Sequence, residues 1–141
     1  MAVDTPLIRD GSLHTAFANY FNPAVALAGP GGTGQFLAVM FQASRVLQVQ
    51  TTANGQMYGV LQNTPMATEA CDVGLYGISK AVAGAAITFG QELMIDASGR
   101  FIPWVFAATT WKVGMAMETT SALGNVFSML IYNPNVRGGS V

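Results

Sequence analysis

From Phe36 onward the chain is a succession of short apolar runs separated by polar or small residues. They read "FLAVMF", "RVLQVQTT", "QMYGVLQ", "DVGLYGIS", "KAVAG", "QELMID", "RFIPWVF", "WKVGMAME" and "NVFSMLIY", each bounded by Gly, Asn, Asp or Ser. Runs this short, punctuated this often, predict strands and not helices. In "RVLQVQTT" the side chains alternate, with Val46, Gln48 and Gln50 on one side and Leu47, Val49 and Thr51 on the other, which is the period of a β-strand. Helix is disfavoured even in "SKAVAGAAITF", where Gly84, Ile87 and Thr88 interrupt the better helix formers. The expected fold is all-β, a small β-barrel or β-sandwich.

The turns have their own chemistry. Asn54 and Gly55 between the second and third runs predict a hairpin, because both residues tolerate positive φ. "IDASGRF" predicts a second hairpin, entered at Asp96 and closed by Gly99 in the left-handed region. Pro103 lacks an N–H, so its strand belongs at a sheet edge or a bulge. Gly90, Gly114 and Gly124 are further expected turn positions.

Before Phe36 the pattern disappears. "HTAFANYFNPAVALAGPGGTGQ" is rich in Ala, Asn, Gly and Pro and holds no sustained period, so residues 1–35 are expected to be an extended, irregular N-terminal arm or long loop. Residues 36–132 form the β domain, and 133–141 a flexible C-terminal tail. Within the arm, Phe17, Tyr20 and Phe21 are spaced to share one side of a short helical turn. That side either packs on the chain's own core or anchors the arm on a partner.

Composition sharpens this picture. Charged residues are only 9% of the 141 and hydrophobic residues 51%, against about 25% charged in an ordinary soluble domain. Either the chain enters a membrane or much of its surface is covered by other protein. A spanning helix needs roughly 20 apolar residues, and the longest uncharged region, Gly11 to Ser44, is broken by Asn19, Asn22, Pro23, Pro30 and several glycines. The start "MAVDTPLIRDG" lacks the basic and apolar regions of a signal peptide. No membrane segment is expected, and covered surface is the remaining explanation: a subunit of an assembly.

Candidate chemistry adds little. Arg9, Arg45, Lys80, Arg100, Lys112 and Arg137 are scattered and the net charge is −1, so no nucleic-acid stripe is expected. "GPGGTG", residues 29–34, has dinucleotide-loop spacing. However, a strand-like run follows it, Pro30 removes an amide, and the next acid is Glu69. Gln35 and Phe36 stand where a phosphate loop needs Lys and Ser or Thr. The single Cys71 forms no internal disulfide and has no ligand-spaced neighbour. His14 is the only histidine and lies in the arm. Glu92 and Asp96 share a strand face beside a turn, an ordinary place for solvated acids, and Glu69, Asp72 and Glu118 are equally uncommitted. No catalytic, cofactor-binding or metal residues are expected, nor any cofactor or enzymatic activity. Trp104 and Trp111, with Phe101, Phe106 and Tyr132, suit either a core or subunit interface or a sugar-stacking platform. Eight methionines supply adaptable packing surface.

The order of elements from "YGVLQNTPMATEACDVGLYGISKAVAGAAITFGQELMIDASGRFIPW" to "VGMAMETTSALGNVFSMLIY" resembles the small capsid cement, or head decoration, proteins of tailed bacteriophages. Gly59-Val60 and Gly77 match the family's first strands. Ala86, Ile87, Gly90, Leu93, Asp96 and Gly99 match its central hairpin, and Gly114, Ala116, Glu118, Gly124 and Val126 its closing segment. The likeness spans roughly residues 57 to 132; "TEACD" departs from the family's usual turn, and the arm has no counterpart. It implies a non-enzymatic β-barrel-like homotrimer on the outer surface of the mature head, bridging copies of the major capsid protein. Phe17, Tyr20, Phe21, Trp104 and Trp111 are the candidate partner-interface residues. The alternative is a carbohydrate-binding β module displayed on a virion.

Overall fold

The computed structural model describes residues 34–43, 46–65 and 70–138, with strand positions also for residues 8–9, 13–14 and 20–21. In chain order the strands are β1 (Ile8–Arg9), β2 (Leu13–His14), β3 (Tyr20–Phe21), β4 (Ala38–Ala43), β5 (Val46–Val49), β6 (Gly59–Leu61) and β7 (Ala70–Cys71). There follow β8 (Val73–Gly74), β9 (Gly77–Val82), β10 (Glu92–Ile95), β11 (Phe101–Pro103), β12 (Trp111–Ala116) and β13 (Val126–Arg137). The fold is all-β, and none of the described residues is helical. One sheet has six strands in the order β7-β3-β5-β4-β6-β8, the other five in the order β11-β10-β12-β13-β9, and β1 and β2 pair separately beside β9. All neighbours are antiparallel except β3 and β5.

Alternation decides what each strand buries. Along β13, Phe127, Met129 and Ile131 are buried while Val126, Ser128 and Leu130 are more open. In β9, Ser79 and Ala81 are buried while Ile78 and Lys80 are exposed. The core between the sheets combines Ala38, Met57 and Val60 with Leu93, Ile95, Phe101, Val113, Phe127 and Met129. Each fully buried large side chain contributes roughly 1.5–3 kcal/mol. A second buried cluster, Val39, Leu47, Val49, Leu61, Cys71 and Val73, comes from β4 to β8 and includes the β4 residue next to Ala38. Adjacent strand residues point to opposite faces, so the six-stranded sheet is apolar on both.

Several expectations need correction. The turn at Asn54 and Gly55 forms, with Asn54 at φ 63° and the Gly55 N–H donating to the Thr52 carbonyl at 3.1 Å. It does not make a hairpin, because β4 lies between β5 and β6 and pairs with both. The link from β4 to β5 is far shorter than that from β5 to β6, and the shorter loop closes at less entropic cost. The Asn54 backbone instead reaches into the other sheet: its N–H donates to the Ile95 carbonyl at 2.8 Å, and its carbonyl accepts the Trp111 N–H at 3.2 Å.

Tyr20 and Phe21 are not on a helical turn. They form β3, bonded between β5 and β7, because a two-residue segment beside two open strand edges gains more hydrogen bonds by joining the sheet. Phe17 and residues 29–33 of the glycine-rich run lie outside the described residues. Gly114 is not at a turn either; it lies within β12, beside a break in register after Lys112. A β-carbon there would come within 2.3 Å of Met129 Cε and 2.4 Å of the Leu130 carbonyl oxygen, so the glycine permits close strand packing. Finally, β13 continues past residue 132 to Arg137 and pairs there with Trp111, so residues 133–137 are strand, not tail.

Candidate interaction surface

Pro103 ends β11, an edge strand. The chain must then reach β12, yet β10 lies between the two. Residues 104–110 therefore cross the outer face of β10. Met94 is on that face, opposite the core residues Leu93 and Ile95, yet is only 7% exposed, as a covering crossover requires.

The crossover is fixed by one buried side chain. The Thr110 hydroxyl accepts the Trp104 Nε1–H at 2.9 Å and lies within donating distance of the carbonyls of Ala107 at 2.9 Å and Val105 at 3.2 Å. From the far side, Arg137 Nε–H donates to the Ala108 carbonyl at 3.3 Å and the Gly138 N–H to the Thr110 carbonyl at 2.7 Å. Lys112 Nζ lies 4.2 Å from the Trp104 ring centre and 2.6 Å from Glu92 Oε2, a cation held by both a ring face and a carboxylate. Phe106 meets the Trp104 ring edge-on at 5.8 Å. On this braced loop Val105 and Phe106 remain 61% and 62% exposed.

Trp104 thus props the loop from the outer face, while Trp111 packs against the core. The two rings form no common sugar platform. Tyr132 sits near the same charges; burial first, then the charge of Glu92, pushes its hydroxyl above the usual tyrosine value.

Two turns carry further apolar residues. Phe89 precedes Gly90, and Leu123 precedes Gly124; Phe89 is 63% and Leu123 60% exposed. Both turns are tied down: the Gly90 N–H donates to the Ala116 carbonyl at 2.8 Å and the Gly124 N–H to Ala83 at 2.7 Å. The Phe89 N–H also donates to Thr119 Oγ1 at 3.0 Å. An open depression of about 590 Å³ adjoins them, lined by Glu118 to Ser121 and Asn125 to Phe127. Within it the Thr120 hydroxyl is the one buried side-chain oxygen among the described residues that lacks a partner.

The acids that sequence spacing left uncommitted mostly hold structure. Asp96 Oδ1 accepts the N–H groups of Ser98 at 2.7 Å and Arg100 at 3.0 Å, and Oδ2 accepts Arg100 Nε–H at 2.8 Å, which closes the turn ending at Gly99. Glu118 accepts the Ser128 N–H at 2.7 Å, with Lys80 Nζ at 3.7 Å. Cys71 is buried, and desolvation, then the charge of Asp72, pushes its thiol up to about 11. That keeps it protonated and unreactive at neutral pH. Among the described residues no three His, Cys, Asp or Glu side chains are grouped to hold a metal ion.

The geometry is that of a two-sheet scaffold presenting exposed apolar residues on hydrogen-bonded turns, with Glu92, Asp96 and Glu118 held in ion pairs. The pattern of the phage cement protein family matches residues 32–131, more than half of the sequence, and the chain belongs to that family. It is accordingly a phage capsid structural protein, associated with the head. Among solved structures it is similar to the N base of head fiber gp8.5 in bacteriophage phi29, with a TM-score of 0.59 and 16% identity over 90% of this chain and 99% of that one. At that identity the likeness concerns the fold. No curated protein sequence matches the chain.

Proposed function

We propose that the protein is a non-enzymatic cement subunit that binds the outer surface of the mature head as a homotrimer and bridges neighbouring major capsid proteins. The observation that carries this reading is the exposure of Val105, Phe106, Phe89 and Leu123 on turns whose backbones are already hydrogen-bonded in place. Burying one such side chain in a partner is worth roughly 1.5–3 kcal/mol. Because the turns are fixed beforehand, little of that is lost to ordering. Three copies held together raise the effective concentration of the later contacts, so weak single sites suffice for retention.

The test is co-sedimentation of purified protein with mature heads and with unexpanded precursor shells. Retention on mature heads alone is expected, and the double variant Phe89→Ser/Leu123→Ser should lower the bound fraction while leaving the fold intact. No retention by the unaltered protein would end the reading. The arm aromatics Phe17, Tyr20 and Phe21 belong to the same proposal. Tyr20 and Phe21 are built into β3, so Phe17→Ala is the arm variant to compare, and unchanged binding would remove Phe17 from the contact.

A further inference from the structure

One face of the five-stranded sheet packs on the six-stranded sheet, and strand register fixes which residues occupy the other face. Leu130 of β13 lies between the buried Met129 and Ile131 in sequence, so it points away from the core. It stands opposite Ile78 of β9 and Met115 of β12, and residues paired in this way share a side. Val126, two pleats back along β13, is on that side too, and so is Val136, which pairs with Lys112. Ile78, Val126 and Val136 are exposed, and Met115 and Leu130 are half-buried. None of the five belongs to either buried cluster. The outer face is thus apolar across the neighbouring strands β12, β13 and β9.

The charges on this face cancel in place. Lys80 Nζ donates to the Ser128 hydroxyl at 3.0 Å and lies 3.7 Å from Glu118, and Lys112 pairs with Glu92 at 2.6 Å. A charged partner would find no free counter-ion here among the described residues, whereas an uncharged apolar surface leaves both pairs intact. The face is also continuous with the exposed turns. At one border Lys112 sits 4.2 Å from the ring centre of Trp104, which opens the crossover carrying Val105 and Phe106. At another, Val126 lines the depression together with Ser121 and Asn125, which flank the Leu123 turn, and Thr119, which accepts the Phe89 N–H.

We infer that the outer face of the five-stranded sheet, centred on Met115 and Leu130, is what this protein lays against the head, and that it fits an uncharged, apolar surface of the major capsid protein. The inference rests on the cement reading and deepens it: the exposed turns become the borders of one continuous contact. A second copy suits the face less well. A face that meets its own like closes a two-fold pair, whereas the homotrimer reading needs two different patches at every joint. Apolar area then supplies the attraction, and retention on heads is independent of charge screening.

The experiment is co-sedimentation of the full chain with mature heads over a range of protein concentrations, for the unaltered protein, Met115→Lys, Val126→Lys and Ser98→Lys. The first two variants put an unpaired charge into the contact, and each should raise the dissociation constant roughly tenfold or more. Ser98 is exposed on the turn whose Gly99 carbonyl accepts the Ala38 N–H of the other sheet, so Ser98→Lys should bind like the unaltered protein. Circular dichroism will verify each fold, and Val126, at 52% exposure, keeps the test open should Met115→Lys misfold. Raising salt from about 0.1 M to about 1 M shortens the screening length from about 10 Å to about 3 Å and should not release the unaltered protein. Folded face variants retained as well as the unaltered protein, an equal loss from Ser98→Lys, or retention that falls steeply with salt would overturn the assignment and leave the cement reading standing. A two-fold dimer in sedimentation equilibrium that both face variants dissolve, with head binding unchanged, would give the face to a second copy instead. Heads that retain none of the unaltered protein would end the cement reading and this one with it.

Discussion

Thr110 and Thr120 are both buried, and the same substitution at each should act in opposite directions. Thr110→Val removes the acceptor of the Trp104 indole N–H and a donor near Ala107 and Val105, and should destabilise the domain by about 1–2 kcal/mol. Thr120→Val keeps the branched shape and deletes a hydroxyl with no partner, so a gain of up to about 1 kcal/mol is expected. Urea midpoints at unchanged slope will measure both. Nothing in the sequence separates these residues, because "TTW" and "TTS" give no sign of which hydroxyl finds a partner. Trp104 was visible as a large aromatic, but its task of propping Val105 and Phe106 outward depends on Thr110 at the far end of the crossover and on Lys112 of β12. Glu118 gives a residue-scale pH effect. The Ser128 backbone N–H, then its hydroxyl, and beyond these Lys80, hold the carboxyl below the ordinary glutamate value. Its folded value being the lower one, its stabilising share is present above the unfolded value of about 4.3 and is lost as pH falls through the folded value. An NMR titration should place its midpoint below that of an exposed glutamate, and Glu118→Gln should flatten the acid limb of stability.

At the level of elements, a glycine inside a strand and one at a turn differ in what replaces them. Gly114→Ala drives a β-carbon to within 2.4 Å of the Leu130 carbonyl oxygen and nearer still to Met129. A loss of about 3 kcal/mol is expected, at the upper end of overpacking costs because a backbone atom cannot step aside. Gly124→Ala meets nothing within 4 Å and costs only the strain of φ 87°, about 1 kcal/mol. Thermal or urea unfolding will rank them. Sequence alone put both at turns, since it registers the glycine and not the neighbour that requires it. Strand existence was legible from alternation, and of the two places a missing N–H left for Pro103, an edge or a bulge, the structure has the edge. Pairing was not legible. Asn54-Gly55 fixes the direction of a turn, but whether β5 and β6 then pair depends on β4, which the turn residues do not touch.

On the scale of the whole molecule, the scarcity of charge pointed to assembly, and membership of the phage cement protein family agrees. The pattern in which those few charges pair was hidden, because Lys112 and Glu92 meet only once β10 and β12 are placed near each other. The two sheets share a core and are joined by backbone bonds: the Ala38 N–H to the Gly99 carbonyl at 2.8 Å, the Val82 N–H to Phe36 at 3.1 Å, and both Asn54 bonds. Unfolding should therefore be a single transition, with Trp111 fluorescence and amide exchange in β4 reporting the same free energy; separate values would mean that the sheets open independently. The Asn54 turn also has a mechanical consequence. It projects from one sheet and is gripped by Ile95 and Trp111 of the other, so tension on either sheet is carried across to its neighbour as shear along backbone bonds. Prising the two sheets apart must then break both Asn54 backbone bonds together with the core the sheets share.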